Sequence, residues 1–173
     1  MPVTISNPKQ TLRSLTVIVA IQWMGATLGL PLLPLFLRER GGTSTVVGFV
    51  VAAFFVAGLL TQFAVGHLAD RFGRRRLLVG GLLAYGVASA TYLLPVGAAW
   101  FSLSRAVQGI GAGAIEVASF AAVAGLFAEA ERGRAISRIL AAQLAGTAIG
   151  PLLGSLVPLN RLGWAFLAAG VAS

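Results

Sequence analysis

The sequence predicts an all-α membrane protein with six transmembrane segments, and three observations support this. Hydrophobic residues make up 57% of the 173 residues and charged residues only 10%, whereas soluble domains carry about 25% charged residues. Several apolar runs are long enough to cross a bilayer as helices, which need about 20 residues and satisfy their backbone hydrogen bonds internally. Most of the basic residues stand in short breaks between these runs. We therefore expect a helical bundle embedded in a membrane.

Composition also excludes several classes of protein. The net charge of +8 does not indicate nucleic-acid binding, because a nucleic-acid interface needs a solvated basic surface and these charges are confined to breaks between apolar segments. The chain has no cysteine, so a disulfide framework and a thiolate metal site are excluded. The first apolar run lacks an Ala-x-Ala-like cleavage site, which favours a true span over a signal peptide.

The predicted segments follow one another with short connections. The chain is expected to begin with a tail at residues 1–14 and to continue as one transmembrane bundle over residues 15–173. Its six spans are predicted at residues 15–37, 46–69, 77–94, 96–128, 139–159 and 162–173. The sixth has about 12 residues, fewer than the about 20 that a span requires, which predicts that the sixth helix is truncated.

The distribution of basic residues predicts the orientation of these spans. Lys9 and Arg13 precede the first span, and the connections after the second and fourth spans are rich in arginine. Only Arg38, Arg40 and Arg161 would lie on the other side of the membrane. By the positive-inside rule, the N-terminus and both basic loops are expected in the cytoplasm. We expect an integral, multi-pass protein of the plasma (inner) membrane.

A short motif occurs at two turns of the predicted bundle. Residues 70–73 between the second and third spans are Asp-Arg-Phe-Gly, and residues 160–163 between the fifth and sixth are Asn-Arg-Leu-Gly. This recurrence predicts that a three-helix unit occurs twice. Because three is odd, the second copy enters the membrane from the opposite side, which makes an inverted repeat of the kind that builds secondary transporters.

The loop between the second and third spans carries the most specific motif of the chain. Residues 66–76 read GHLADRFGRRR, and this pattern resembles the signature cytoplasmic loop of the major facilitator superfamily. In that family the loop closes the two halves of the transporter against each other on the cytoplasmic side. The resemblance therefore implies a gating role for Gly66, Leu68, Asp70, Arg71, Gly73 and Arg74. The alternative is that the arginines only anchor the topology and that Asp70 only caps a helix.

Two further motifs of this superfamily follow in the expected helices. Residues 103–114, LSRAVQGIGAGA, resemble its helix-four motif, and residues 146–154, GTAIGPLLG, resemble the core of the helix-five motif of its antiporters. The chain departs from the family at Ser137, where the full antiporter motif has a glycine, and its first span lacks the acid that many drug/proton antiporters carry. The resemblance covers the whole chain. It implies the N-terminal half of such a transporter, a six-helix bundle of two inverted three-helix repeats with the C-terminal half absent.

Arg105 and Glu116 are the ionisable residues that fall well inside a predicted span. A charge near the bilayer centre costs at least about 2.5 kcal/mol unless it faces a cavity or a partner. Eleven residues correspond to three helical turns plus roughly 20°, which places the two charges on one helix face about 16 Å apart, close to Gln108. We interpret Arg105, Gln108 and Glu116 as cavity-lining and Glu116 as the candidate proton carrier. A structural ion pair of Glu116 with a helix of the missing half is the alternative.

The fifth span combines small residues with a proline. Gly146, Gly150 and Gly154 recur every four residues and permit close helix approach, and Pro151 removes one backbone hydrogen bond and permits a bend. Tight packing without a mechanistic role is the alternative to the antiporter interpretation. Other uncharged polar side chains in the spans are candidates for substrate contact or for bonds to a neighbouring helix: Gln22, Thr27, Gln62 and Gln143.

The predicted function is secondary active transport of a small molecule by alternating access. The helix-five motif favours a proton-coupled exporter of drugs or metabolites. A proton-linked uptake symporter or uniporter is the first alternative, and a non-transporting scaffold or an inactive truncated product is the second. The sequence has no metal-ligand cluster, nucleophile-base arrangement or phosphate-binding loop, so no enzyme, cofactor or metal is predicted. The expected partners are the lipid bilayer, a small-molecule substrate, a coupling proton and the missing C-terminal six-helix half.

Overall fold

The computed structural model describes the backbone of residues 7–172 and the side chains of that range except those at 64–72, 169 and 172. The described part is helical and contains no strand. Its seven α-helices are α1 Pro8–Leu28, α2 Leu33–Arg38, α3 Ser44–Phe72, α4 Arg74–Ala90, α5 Trp100–Leu126, α6 Glu129–Ser155 and α7 Leu162–Ala172. Short 3-10 turns at Thr91–Leu93 and Leu159–Arg161 follow α4 and precede α7.

Five of these helices are long and apolar enough to cross a membrane, namely α1, the apolar part of α3, α4 with its 3-10 turn, α5 and α6. In the apolar stretches of α3 and α6 most residues are not buried, and many of their large apolar side chains are exposed at the surface of the bundle. A lipid environment accepts such surfaces, whereas water does not. The prediction of an all-α membrane protein is confirmed.

The first predicted span, residues 15–37, is divided in the structure. Helix α1 begins at Pro8, where the Asn7 side chain accepts a hydrogen bond of 3.1 Å from the backbone N–H of Lys9. It ends before Pro31, which has no N–H to donate to the carbonyl of Thr27; that carbonyl accepts instead from the N–H of Leu30 at 3.0 Å. Part of the predicted tail is thus helical, and the end of the predicted span is the separate short helix α2.

The other helix bounds also differ from the predicted ones. Helix α6 begins ten positions before residue 139, because its first turn carries Glu129 and Glu131, whose charges favour a helix N-terminus. Helix α5 is shorter at both ends than residues 96–128, and α4 starts at Arg74 and ends at Ala90 rather than covering residues 77–94. Hydropathy marks the part of a helix that lies in lipid, whereas backbone hydrogen bonding continues through the polar flanks.

The helix contacts confirm the inverted repeat. Helix α3 packs along α5, and α1 packs along α6; α4 also contacts α5 and α7, and α1 contacts α7. If α1, α3 and α4 are exchanged for α5, α6 and α7 in that order, the α4–α7 contact is converted into itself and each of the other contacts into another member of the same set. The α3–α5 pair becomes the α6–α1 pair, and the α4–α5 pair becomes the α7–α1 pair. Two copies of one three-helix unit related by a pseudo-two-fold axis produce this symmetry.

Glycines set the distance between several helices. A Cβ at Gly111 of α5 would approach the backbone N of Tyr85 at 3.0 Å, and a Cβ at Gly113 would approach the carbonyl O of Gly58 on α3 at 2.8 Å. Because no side chain separates these backbones, α5 can pack closely against α3 and α4 at the same time. The side chains on the face of α5 that meets these helices are thereby enclosed, whereas Trp100, Leu103 and Ile110 remain exposed.

Candidate functional site

Arg105 lies in the second turn of α5, at the centre of the bundle. It is 1% exposed and is the largest of the fully buried side chains in the described part. Its guanidinium carbon lies 5.1 Å from the ring centroid of Phe54 on α3 and 5.7 Å from that of Phe166 on α7. Aromatic ring faces attract cations, so these two rings replace part of the water that a free arginine would bind.

The hydrogen bonds of Arg105 go to neutral oxygens. Its Nη1 donates to Oε1 of Gln108, one turn further along α5, at 3.2 Å. Its Nη2 donates to the backbone carbonyl of Ala26 on α1, also at 3.2 Å. The Nε atom is buried and has no hydrogen-bond partner within the described part of the chain. The planar guanidinium thus joins α1 to α5, and its Nε–H has no partner among the described residues.

A chain of hydrogen bonds extends from Arg105 to α4. The side chain of Gln108 is completely buried, and its Nε2 donates to Oγ of Ser89 at 2.9 Å. Ser89 in turn donates to the backbone carbonyl of Tyr85 at 2.8 Å. We call Arg105, Gln108, Ser89 and Tyr85 the central polar cluster. It contains one formal charge, and each link fixes the rotamer of the next.

Gln22 of α1 reaches the same region. Its side chain is completely buried, and neither its Oε1 nor its Nε2 has a partner among the described residues. Its backbone carbonyl accepts a 3.5 Å hydrogen bond from the hydroxyl of Tyr85, which places it next to the central polar cluster. A buried amide without partners costs about 1–3 kcal/mol, and both of its polar ends can bind a water or a ligand.

Glu116 stands apart from the central polar cluster. It is half-buried where α5 meets α3, and its Oε2 accepts a 3.2 Å hydrogen bond from Nε2 of the exposed Gln62. The structure therefore divides the predicted stripe: Arg105 and Gln108 are enclosed together, whereas Glu116 is at a separate site. The sequence did not predict that Gln62 lies beside Glu116, and the structure shows that the two residues form this second site.

The glycine strip of α6 contacts the backbone of α1. A Cβ at Gly146 would lie 3.0 Å from the backbone N of Met24, and one at Gly150 would lie 2.5 Å from the carbonyl O of the same residue. At Gly154 a Cβ would collide with the backbone of Leu28. All three glycines are buried. A larger side chain at these positions would push the two helices apart.

Pro151 leaves the backbone carbonyl of Thr147 without its usual helical donor, because proline has no N–H. The hydroxyl of Thr27 on α1 lies 3.4 Å from this carbonyl and 2.9 Å from the carbonyl of Trp23 in its own helix. Thr27 is thus next to the proline of the predicted antiporter motif. Gln143, two turns before Pro151, is half-buried, and its Oε1 has no partner within the described part.

Part of the predicted gating loop can be located. Gly66, Leu68, Asp70 and Arg71 have side chains outside the described set. Gly73 adopts a φ of 85° before α4, a left-handed conformation that glycine accepts readily. The guanidinium of Arg74 lies against Gly125 near the C-terminal end of α5, where a Cβ would be 3.1 Å from its Nη2. A cation is favourable at a helix C-terminus, so the position of Arg74 stabilises the packing of this loop against the end of α5.

Comparison with known proteins decides the family. The family model described as Major Facilitator Superfamily matches residues 15–173. The chain belongs to the major facilitator superfamily. The resemblance found in the three motifs is confirmed, and the chain is a multi-pass membrane protein of a family of transporters.

Relatives of this major facilitator chain carry names of drug-resistance proteins. It is 38% identical over 153 residues to a chloramphenicol resistance protein of Pseudomonas aeruginosa, covering 86% of this chain and 36% of that protein. It is 30% identical to multidrug resistance protein 2 of Bacillus subtilis, covering 80% and 35% of the two chains. It is 37% identical to the drug efflux pump JefA of Mycobacterium tuberculosis, covering 73% and 24%. The chain thus spans at most about a third of the length of these relatives, and its resemblance to the drug-efflux group is confirmed.

Some members of the central polar cluster were not identified from the sequence of this major facilitator chain. Tyr85 and Ser89 were missed, and so were the two rings beside Arg105, Phe54 and Phe166. Tyr85 and Ser89 are four residues apart and therefore share one face of α4, which is a signal of a polar helix contact. No sequence signal distinguishes Phe54 and Phe166 from the other phenylalanines, because their role depends on which helices meet at Arg105.

Proposed function

We propose that this chain forms the N-terminal six-helix half of a secondary transporter that exports a drug-like small molecule in exchange for protons. Together with a C-terminal half, it would work by alternating access, the two halves rocking about a site near the membrane midplane. The names of the relatives support efflux, and the inverted repeat supports this mode of movement.

The observation that carries the proposal is the burial of Arg105 at membrane depth among neutral partners. Intramembrane charges are costly, and an arginine whose described partners are carbonyl oxygens and aromatic rings gains less than one paired with a carboxylate. Its unpartnered Nε and the unpartnered amide of Gln22 leave hydrogen-bonding capacity at the bundle centre. These free groups suit a site that binds a transported molecule or that responds to a proton nearby.

The remaining predicted residues have distinct proposed roles. Glu116 carries the proton, and Gln22, Thr27 and Gln143 contact the substrate. The close α1–α6 contact made by the glycine strip, together with Pro151, limits leakage during exchange. The loop that ends in Gly73 and Arg74 acts as the cytoplasmic gate, with its remaining members Gly66, Leu68, Asp70 and Arg71.

We further propose that the N-terminus is cytoplasmic and that the protein resides in the plasma (inner) membrane.

The orientation can be tested directly with single-cysteine variants, because the sequence contains no cysteine. Ser137 in α6 and Thr45 in α3 are both exposed and lie near opposite ends of the bundle. An impermeant maleimide should label Thr45→Cys in intact cells and Ser137→Cys only in opened cells. The reverse pattern would contradict the proposed orientation.

Transport can be tested in inverted membrane vesicles from cells that carry the gene at its native locus. Vesicles with an acidified interior should accumulate chloramphenicol or a lipophilic dye cation, and vesicles from a deletion strain should not. Collapse of the pH gradient with nigericin should release the accumulated probe. Equal accumulation in both strains would contradict export of these probes, and accumulation that survives nigericin would contradict proton coupling.

A further inference from the structure

A basic cleft opens between the first turns of α1 and α6. It has a volume of about 460 Å³ and is lined by four cationic side chains, Lys9, Arg13, Arg134 and Arg138. Leu12, Phe127 and Ala135 form its apolar floor, and Glu131 is the one carboxylate among the described residues that line it. The cleft lies at the end of the bundle that also carries Arg74, away from the central polar cluster.

Within the described part of the chain, the cations of this basic cleft outnumber the carboxylates that face them. Four positive groups face one negative group, and all of them are exposed. Two of the cations come from each helix, so the helix pair gathers like charges that repel one another. Such an arrangement is favourable when an anion occupies the cleft, because arginine forms strong, paired hydrogen bonds to phosphate oxygens.

An apolar groove begins where the basic cleft ends. Its cavity of about 420 Å³ is lined by Leu12, Arg13 and Arg138, which also line the cleft, and continues along both helices past Val17 of α1 and Ala141 and Ala142 of α6. Both helices are candidate membrane spans, so the groove runs from the membrane surface into the hydrocarbon region. Small alanines on α6 leave room for a chain between the helices.

We propose that the seam between α1 and α6 binds one anionic phospholipid. The basic cleft holds the phosphate headgroup, and the alanine-lined groove holds an acyl chain. A free phosphate would be satisfied by the cleft alone and would make no use of the groove. This proposal goes beyond transport, since it concerns a lipid bound at the surface and not a transported molecule. It is also independent of the roles proposed for Arg105 and Glu116.

The headgroup part of the site can be tested by native mass spectrometry of the purified chain with phosphatidylglycerol in mixed micelles. Each basic residue removed near an anionic lipid should weaken binding about fivefold, so Arg13→Gln with Arg138→Gln should weaken it about 30-fold. The matched control is Arg75→Gln with Arg76→Gln, which removes two exposed arginines from α4 at the same end of the bundle. The control should stay within about twofold of the unmodified chain. Equal losses in both double variants would overturn the proposal, because they would show general attraction to a basic surface.

The acyl-chain part needs a second measurement. Ala142→Trp fills the groove and should weaken phosphatidylglycerol binding about tenfold, whereas Ala148→Trp on an exposed face of the same helix should not. Soluble glycerol phosphate should compete only weakly. The lipid proposal is wrong if the Ala142→Trp variant binds phosphatidylglycerol normally. It is also wrong if glycerol phosphate displaces phosphatidylglycerol at a concentration comparable to that of the lipid, because the cleft would then be a simple anion site. Circular dichroism and gel filtration of every variant identify any loss of fold.

Discussion

Arg105 and Glu116 stand on the same helix and on nearly the same face, yet their surroundings differ. Arg105 is 1% exposed and is held between two rings and two hydrogen-bonded oxygens on different helices. Glu116 is half-buried, and its one hydrogen bond to a described side chain comes from the exposed Gln62. The first environment is enclosed on every side, whereas the second is open on one.

The difference arises from the helices that α5 meets along its length. Near Arg105, helices α1, α3, α4 and α7 converge, so aromatic and polar groups from several elements enclose the side chain. About 16 Å further along, at Glu116, the recorded partner comes from α3 alone. A fully enclosed charge suits a fixed electrostatic role, and a partly exposed carboxylate suits the uptake and release of a proton. The comparison therefore predicts different consequences for conservative changes at the two positions.

The largest effect is expected for Arg105→Lys. One ammonium cannot reach Gln108 and Ala26 together, and it lacks the flat face that lies between two rings. Loss of one charge-assisted contact costs about 2 kcal/mol, so transport in inverted vesicles should fall at least tenfold. The matched control, Arg75→Lys, changes an exposed arginine and should keep full transport. Normal transport by Arg105→Lys would mean that only the charge matters and that the enclosure has no functional role.

A somewhat smaller effect is expected for Glu116→Gln, because the exposed side of this residue tolerates an isosteric change. Glutamine cannot take up and release a proton, so accumulation driven by a pH gradient should fall about tenfold, a loss of about 1.4 kcal/mol of driving force. Exchange of labelled for unlabelled drug at equal pH should continue, because the substrate site is unchanged. Glu129→Gln, an exposed change in the first turn of α6, serves as the control. Unchanged accumulation in a pH gradient would remove Glu116 from the coupling mechanism.

The contrast between these two positions also shows which structural features could be predicted from the sequence and which could not. Both charges, the all-helical fold and the inverted repeat follow from hydropathy, helical periodicity and a recurring turn motif, which depend on local sequence. The separation of Glu116 from Arg105 does not follow, because it depends on α3 presenting Phe54 to one charge and Gln62 to the other. The break in the first span was missed for a related reason: hydropathy does not register that Pro31 lacks a donor for Thr27. Features that depend on local sequence could thus be predicted, whereas the particular side chains that meet across two helices, such as Phe54 beside Arg105, could not.

The smallest effect is expected for Ser89→Ala, which tests whether the enclosure around Arg105 is as fixed as its geometry indicates. The substitution removes the acceptor of the Gln108 amide and leaves a completely buried donor unsatisfied, so the free energy of unfolding should fall by about 1–2 kcal/mol. Unfolding by SDS in mixed micelles measures the change. Ser137→Ala is the matched control, because its exposed hydroxyl donates only to the Gly133 carbonyl in its own helix, and its stability should change by less than about 0.5 kcal/mol. If both variants are equally stable, Gln108 finds another acceptor, the central polar cluster can rearrange, and its contrast with the open site of Glu116 becomes one of burial alone.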